Sequence, residues 1–260
     1  MNIFGFLGFN ESLFHEILKY TMIGLGVIVF IMLFFITAGY GRYIDKKWGP
    51  QINNKLGWFI METVPPILFF IFFIISDRKT ELIYLVFLGI WEIHYVQRAF
   101  IYPFLIRGNK KMPLTIIAMG ITFNGLNAYI QGRYLFYIMP GYPENWLISP
   151  FFIIGTIIWI CGFIINIYSD YILRNLREPG ENGYKIPYGG LFRFVSCPNY
   201  LGEILEWIGW AVLTWSISGL VFALWTIANL IPRAISHHRW YHQHFEEYPQ
   251  NRKAIIPFIL

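Results

Sequence analysis

The sequence predicts an all-α protein, a multi-pass membrane bundle of seven transmembrane helices with its amino terminus outside and its carboxyl terminus in the cytoplasm. Three observations predict it. Hydrophobic residues fill 56% of the 260 positions, and aromatic residues alone fill 20%. Charged residues reach only 13%, about half their share in an ordinary soluble domain. The apolar residues are gathered into stretches long enough to cross roughly 30 Å of hydrocarbon, where a backbone without water must satisfy its own hydrogen bonds and so becomes helical.

In chain order these stretches are residues 20–39, 56–76, 82–106, 113–130 and 146–173, then two shorter ones, 201–216 and 217–231, separated by barely a turn. Basic residues set the orientation, because lysine and arginine are retained on the cytoplasmic side. Fifteen of the twenty fall on one set of alternating connections and the carboxyl-terminal segment, four on the other, and Arg98 lies inside a span. The net charge of +5 is accounted for by this asymmetry, and nothing resembles a nucleic-acid-binding domain. The first apolar run lacks the basic leader and small-residue exit of a cleaved signal, so it is expected to stay. No internal repeat is visible. The one sizeable loop, 175–198, is rich in glycine, proline and charge, so residues 1–260 read as a single domain. Cys161 and Cys197 are too few and too far apart for a disulfide framework or a metal-binding cysteine pair.

An ionisable group at the bilayer centre costs about 2.5–3.5 kcal/mol on insertion scales, which makes each one a functional candidate. Here they fall into stripes of helical period. Trp58 and Glu62 are one turn apart, just before Pro65 and Pro66, which should kink the second span. Trp91, Tyr95, Arg98 and Tyr102 share a face of the third. Asn166, Asp170, Arg174 and Arg177 line the end of the fifth, Asn199, Glu203 and Glu206 open the sixth, and Arg233, His237 and Tyr241 follow the seventh. One such stripe is equally well a seam of interhelical hydrogen bonds. Five together, with a surplus of arginine, amides and aromatic rings, suit a large anionic ligand, because guanidinium forks match phosphate oxygens and rings stack on bases.

Four histidines crowd residues 237–244, and His238 and His242 have the spacing of a helical zinc pair. Only His15 and His94 lie elsewhere and no HExxH occurs, so no metal is expected. His242 and His244 read as solvated interfacial residues, whereas His237 shares a face with Arg233 and Tyr241.

The run SDYILRNLREPGENGYKIPYGGLFRFVSCPNYLGEILEWIGW, residues 169–210, followed by HHRWYHQHFEEYPQNRKAIIPFIL to the terminus, resembles the steroid 5α-reductase family (3-oxo-5α-steroid 4-dehydrogenases), seven-span membrane enzymes that use NADPH. The likeness is close over the last hundred or so residues, about 160–260, where most of the cofactor site would lie. It extends more thinly through WFIMETVPP and HYVQRAFIYPFL and is weakest before Lys55.

The resemblance implies an NADPH site at Trp58, Arg98, Tyr102, Asn166, Asp170, Arg177, Tyr184, Asn199, Glu203, Arg233, His237 and Tyr241, most of which the stripes had already marked. No GxGxxG follows a strand, so the dinucleotide would be held without a Rossmann fold. The reaction implied is hydride addition to C5 of a 3-oxo-Δ4 steroid and protonation at C4, with Tyr95 and Glu62 as the catalytic pair that polarises the C3 carbonyl. Two positions depart from the pattern: Met61 stands where the family often has glutamine, and Asn109 or Lys110 where a further arginine is expected.

Three other readings compete. A reductase of another enone or lipid (sterol, polyprenol or long-chain enoyl) would keep fold and cofactor. An isoprenylcysteine-type methyltransferase would bind S-adenosylmethionine and have no use for phosphate-seeking arginines. A transporter or lipid-binding bundle would line a continuous polar path. The expected partners are a steroid-like lipid and the bilayer, and the expected state is a monomer.

Overall fold

The computed structural model describes residues 10–36, 39, 41–108, 110–177 and 183–260, without the side chains of Arg42 and Lys46. The Asn109 departure lies outside the described residues. The fold is predominantly helical, and its residues divide into two compact units.

The first unit comprises Met1–Met22 and Ala38–Ser149. Helix α1 (Glu11–Met32) contributes its first half here and starts nine residues before the apolar stretch that announced it. Asn10 opens it by accepting the Leu13 N–H at 3.1 Å. Glu11, His15 and Lys19, four apart, are buried at 8%, 0% and 3% exposure. Glu11 and His15 find their partners in the core, and Lys19 finds its own on the same helix. Arg133 grips both oxygens of Glu11 at 2.6 and 2.7 Å, His15 Nε2 meets the Ile130 carbonyl at 2.9 Å, and Lys19 pairs with Glu16 at 2.6 Å.

A short antiparallel ribbon, β1 (Gln51–Asn53) on β2 (Lys111–Pro113), interrupts the all-α expectation. The Asn53 side chain caps α2 (Asn54–Glu62) by accepting the Lys55 N–H at 2.9 Å. The expected kink is a full break at Thr63, since Pro65 and Pro66 have no N–H to continue the ladder and instead open α3 (Val64–Ile74).

Helix α4 (Leu82–Tyr95) leads into a widened π-type turn, Val96–Ile101, and then α5 (Tyr102–Leu105). This rod runs antiparallel to α2 and α3, with ring contacts Phe69–Trp91 at 4.5 Å, Phe59–Phe100 at 5.8 Å and Trp58–Tyr102 at 5.7 Å in reverse order. Helix α6 (Leu114–Arg133) ends in a second widened turn, Tyr134–Ile138. Arg78 clamps its carbonyls, donating to Leu135 O at 2.9 Å and to Met139 O, while the Ser76 hydroxyl donates to Phe136 O at 3.2 Å.

The second unit comprises Ile23–Thr37 and Pro150–Leu260, with the rest of α1, then α7 (Pro150–Asn175), α8 (Pro198–Thr214) and α9 (Ile217–His244). Helices α7 and α8 approach almost backbone to backbone. A Cβ on Gly162 would lie 2.5 Å from the Glu206 nitrogen, and one on Gly202 2.5 Å from the Asn166 nitrogen; Gly155 and Gly209 repeat the contact two turns along. Small residues permit this in a bundle that gains little from hydrophobic association in lipid. Helix α8 ends on Trp215 in a left-handed conformation, φ 42°.

Helix α9 runs unbroken through Pro232 to His244, thirteen residues beyond the apolar stretch, so Arg233, His237 and Tyr241 extend a spanning helix rather than follow it. The carboxyl-terminal strand-like segment is pinned beside Val195 by Ser196 N–H to Lys253 O at 2.8 Å and Cys197 N–H to Ala254 O at 3.1 Å. Ile204, Leu230, Ala234 and Ile255 form the apolar core there.

Four helical segments are long and apolar enough to cross a membrane: α1, the α2–α3 rod, α7 and α9. Among the described residues, the rods α4–α5 and α6 and the 17-residue α8 complete the order of the seven apolar stretches.

Candidate functional site

In the first unit, Trp58 and Glu62 project one turn apart from α2. The antiparallel order of ring contacts with the α4–α5 rod puts Glu62, four residues beyond Trp58 and seven before Phe69, at the level of the stretch between Tyr95 and Arg98. Glu62 is half-buried and Tyr95 fully buried. Tyr95 extends an aromatic stack, its ring 4.9 Å from Trp91, which lies 4.5 Å from Phe69. Arg98 instead sits between two rings, its guanidinium carbon 4.8 Å from the centroids of both Trp58 and Tyr102. Such placement holds the guanidinium by electrostatic attraction to the electron-rich ring faces. Trp58, Arg98 and Tyr102 are thus brought together, and the face predicted for Trp91 to Tyr102 divides into an aromatic half and a cationic half.

In the second unit, the glycine contacts bring the end of α7 against the start of α8. There the Asn166 amide donates to Asn199 O at 2.9 Å, and the Asn199 amide donates to Asp170 Oδ1 at 3.1 Å. Glu203 follows Asn199 by one turn and is half-buried. Arg177, just past α7, donates to Gly183 O at 3.0 Å and lies 5.7 Å from the Tyr184 ring. Tyr184 in turn meets Trp240 of α9 edge-on at 5.0 Å.

Arg233 and His237 converge on a residue absent from the stripes, Tyr200. Its hydroxyl accepts from Arg233 Nη2 at 3.3 Å and lies 3.2 Å from His237 Nε2. The signal was the neighbouring Asn199: Tyr200 lies one position off the Asn199–Glu203–Glu206 period, and periodicity alone passes over it. Tyr241 is buried face to face with Tyr248, ring centroids 5.0 Å apart at 8°.

Of the other carboxyl-terminal histidines, His244 is exposed, with Nδ1 2.9 Å from Trp240 O, and His242 is half-buried beside the His238 and Tyr248 rings. His238 Nδ1 lies 2.6 Å from Ser196 Oγ, which is also 2.7 Å from the Tyr248 hydroxyl. Burial holds that hydroxyl above the ordinary tyrosine range, so it keeps its proton at neutral pH. Arg252 lies buried between the Tyr188 and Tyr248 rings at 4.9 and 5.1 Å. Among the described residues, no three His, Cys, Asp or Glu side chains gather as a metal-ligand group.

Residues 110–260, more than half of the chain, match the family model described as 3-oxo-5-alpha-steroid 4-dehydrogenase. The chain belongs to the 3-oxo-5-alpha-steroid 4-dehydrogenase family. It is 45% identical over 228 residues to the 3-oxo-5-alpha-steroid 4-dehydrogenase 1 of Rattus norvegicus, covering 86% of this chain and 87% of the relative. It is 40% identical over 255 residues to that of Homo sapiens, covering 97% and 98%. Steroid 5-alpha-reductase DET2 of Arabidopsis thaliana is 41% identical over 247 residues, covering 92% and 94%. The resemblance read from residues 169–210 and the terminal run is borne out, and it reaches through the early helices where the motifs were thinnest. At one departure from the family pattern the structure is explicit: Met61 is buried with Met112, Ile116 and Ile117 and faces Gly120 of α6, where a Cβ would come within 2.8 Å of its sulfur.

Proposed function

We propose that this chain reduces the Δ4 double bond of 3-oxo-Δ4 steroids to 5α-dihydro steroids, using NADPH. The observation that carries this reading is the 40–45% identity, over nearly the whole chain, to proteins named for that activity. The donor set supports the cofactor. Arg177 and Arg233 offer guanidinium groups for phosphate oxygens, Asn166, Asn199 and Asp170 a polar network able to fix a ring or ribose, and Tyr184 a ring face for stacking. The resemblance implies the same cofactor for Glu203, His237 and Tyr241, and for Trp58, Arg98 and Tyr102. An arginine for the 2′-phosphate is what selects NADPH over NADH.

NADPH, when bound, supplies the hydride that adds at C5. The chain's own part is to hold the ketone and stabilise the negative charge that grows on its oxygen. Tyr95 offers its hydroxyl from a buried aromatic stack, and Glu62, half-buried on the α2–α3 rod, is the second group aimed at the ketone oxygen. Donors fixed before the reaction cost no reorganisation when charge develops. A proton then reaches C4 to complete the saturated ketone. The same reading includes seven membrane crossings, an amino terminus outside, a cytoplasmic carboxyl terminus and a monomeric enzyme.

The test is purified protein in detergent with NADPH and testosterone or progesterone, following 340 nm absorbance and product. Formation of the 5α-dihydro steroid is expected. Flat absorbance with every enone tried, together with binding of S-adenosylmethionine, would overturn the reading.

A further inference from the structure

The two widened turns in the first unit share an unexplained feature of sequence. In the α4–α5 rod, Tyr102 N–H donates five residues back to Gln97 O; at the end of α6, Met139 N–H donates five residues back to Tyr134 O. Each of these donors is the residue immediately before a proline, Pro103 in one case and Pro140 in the other. The coincidence has a physical cause. In an unbroken α-helix the N–H of residue 103 would bond to Ala99 O; proline has no N–H, and its ring collides with that carbonyl. Widening the preceding turn by one residue carries the carbonyl away from the ring and gives Tyr102 a new acceptor.

One extra residue in a turn rotates everything after it by about 100° relative to everything before. The rotation falls between Tyr95 and Tyr102. Before it, Tyr95 packs on Trp91 and, through it, on Phe69 of α3; Arg98, within the turn, and Tyr102, just after it, close on Trp58 of α2. The opposite rod is interrupted at Thr63, at the same level, where α2 ends and α3 begins.

We propose that Pro103 is a positioning residue: by denying Ala99 its helical hydrogen bond it holds the Val96–Ile101 turn wide, and the wide turn delivers Arg98 onto Trp58 and Tyr102. Its effect on cofactor binding rests on the assignment of Arg98 to NADPH made above. The geometric claim stands apart from that assignment.

The experiment compares wild type, Pro103→Ala, Arg98→Ala and Pro140→Ala in detergent, without steroid. NADPH affinity is read by quenching of tryptophan emission, thermal stability by unfolding, and the geometry by a ligand-free cryo-EM structure of Pro103→Ala. Alanine restores the missing helical hydrogen bond, so Pro103→Ala is expected to unfold at the same temperature as wild type or higher, yet to bind NADPH at least fivefold more weakly, with Arg98 displaced from Trp58. Pro140→Ala should leave NADPH affinity within twofold. A proline that merely stiffened the rod would give the opposite pattern, lower stability with unchanged affinity, and that result overturns the proposal. So does a ligand-free Pro103→Ala structure with Arg98 still between Trp58 and Tyr102. Failure of wild type to bind NADPH sinks the cofactor reading and leaves the structural arm to decide the role of Pro103.

Discussion

The side-chain amide of Asn199 donates to the carboxylate of Asp170 over 3.1 Å and so ties the first turn of α8 to the last turns of α7. The carbonyl of the same residue accepts the Asn166 amide at 2.9 Å, which makes Asn199 the hinge pin of the polar network. A hydrogen bond to a charged acceptor contributes about 1.5–3 kcal/mol. Asn199→Leu, which removes the amide at similar volume, is therefore expected to raise the apparent KM for NADPH by ~10-fold or more. Asn199→Asp should be worse, because it sets a second carboxylate against Asp170. Steady-state kinetics at saturating steroid check both; an NADPH KM unmoved by Asn199→Asp would remove this network from the cofactor site.

Tyr95 and Glu62 are expected to show the reverse signature. Tyr95→Phe keeps the ring that stacks on Trp91 at 4.9 Å and deletes only the hydroxyl. Loss of one preorganised donor to a developing oxyanion costs about 10²–10³ in kcat, and Glu62→Gln should fall in the same range. NADPH affinity, measured by fluorescence titration without steroid, should stay within twofold for Tyr95→Phe. Near-wild-type turnover in both variants would exclude the pair from catalysis.

The α7–α8 contact is where a single methyl group should cost most. Gly162→Ala would push a Cβ to 2.5 Å from the Glu206 nitrogen and 2.6 Å from Gly202 O, backbone atoms that cannot swing aside. Overpacking of this kind costs about 1–3 kcal/mol, and here it also pries apart the helices that hold Asn166 and Asn199. Gly89 of α4 has open space where its Cβ would go, so Gly89→Ala should be neutral or stabilising by about 0.5–1 kcal/mol. Thermal unfolding in one detergent compares the two; equal stability would exclude a backbone contact between α7 and α8 at Gly162.

The seven rods were legible because run length is a direct consequence of hydrocarbon thickness, and the polar stripes because a charge in lipid has few excuses. What escaped depended on partners distant in sequence. Glu11, His15 and Lys19 looked too polar to belong to a spanning helix, and they enter one because Arg133 and Ile130, more than a hundred positions away, receive two of them. The extension of α9 to His244 was hidden by the same rule, since a hydropathy threshold ends where Arg233 begins although the backbone ladder continues. Trp91, Tyr95, Arg98 and Tyr102 have the spacing of a regular α-helix, so nothing in their period announces the wide turn. Only Pro103 does, and it reads as an ordinary helix-end proline until the ladder around it is seen.

The pairing of Glu11 with Arg133 gives the last prediction. Arg133 is fully buried, its guanidinium carbon 3.7 Å from the Tyr137 ring centroid and its nitrogens on both oxygens of Glu11. Removing one partner of a buried pair strands the other charge and costs about 3–5 kcal/mol, whereas neutral groups of similar volume at both positions can be close to neutral. Arg133→Met alone is expected to lower the unfolding temperature sharply, and Glu11→Gln in the same chain to restore most of the loss. Because Glu11 and Arg133 join α1 to α6 and none of the residues assigned to NADPH lies on either helix, the double variant should keep its NADPH affinity. If the double variant were instead less stable than Arg133→Met, the pair would be holding α1 by more than charge compensation, and Tyr129, which donates to Glu11 at 3.3 Å, would be the next side chain to test.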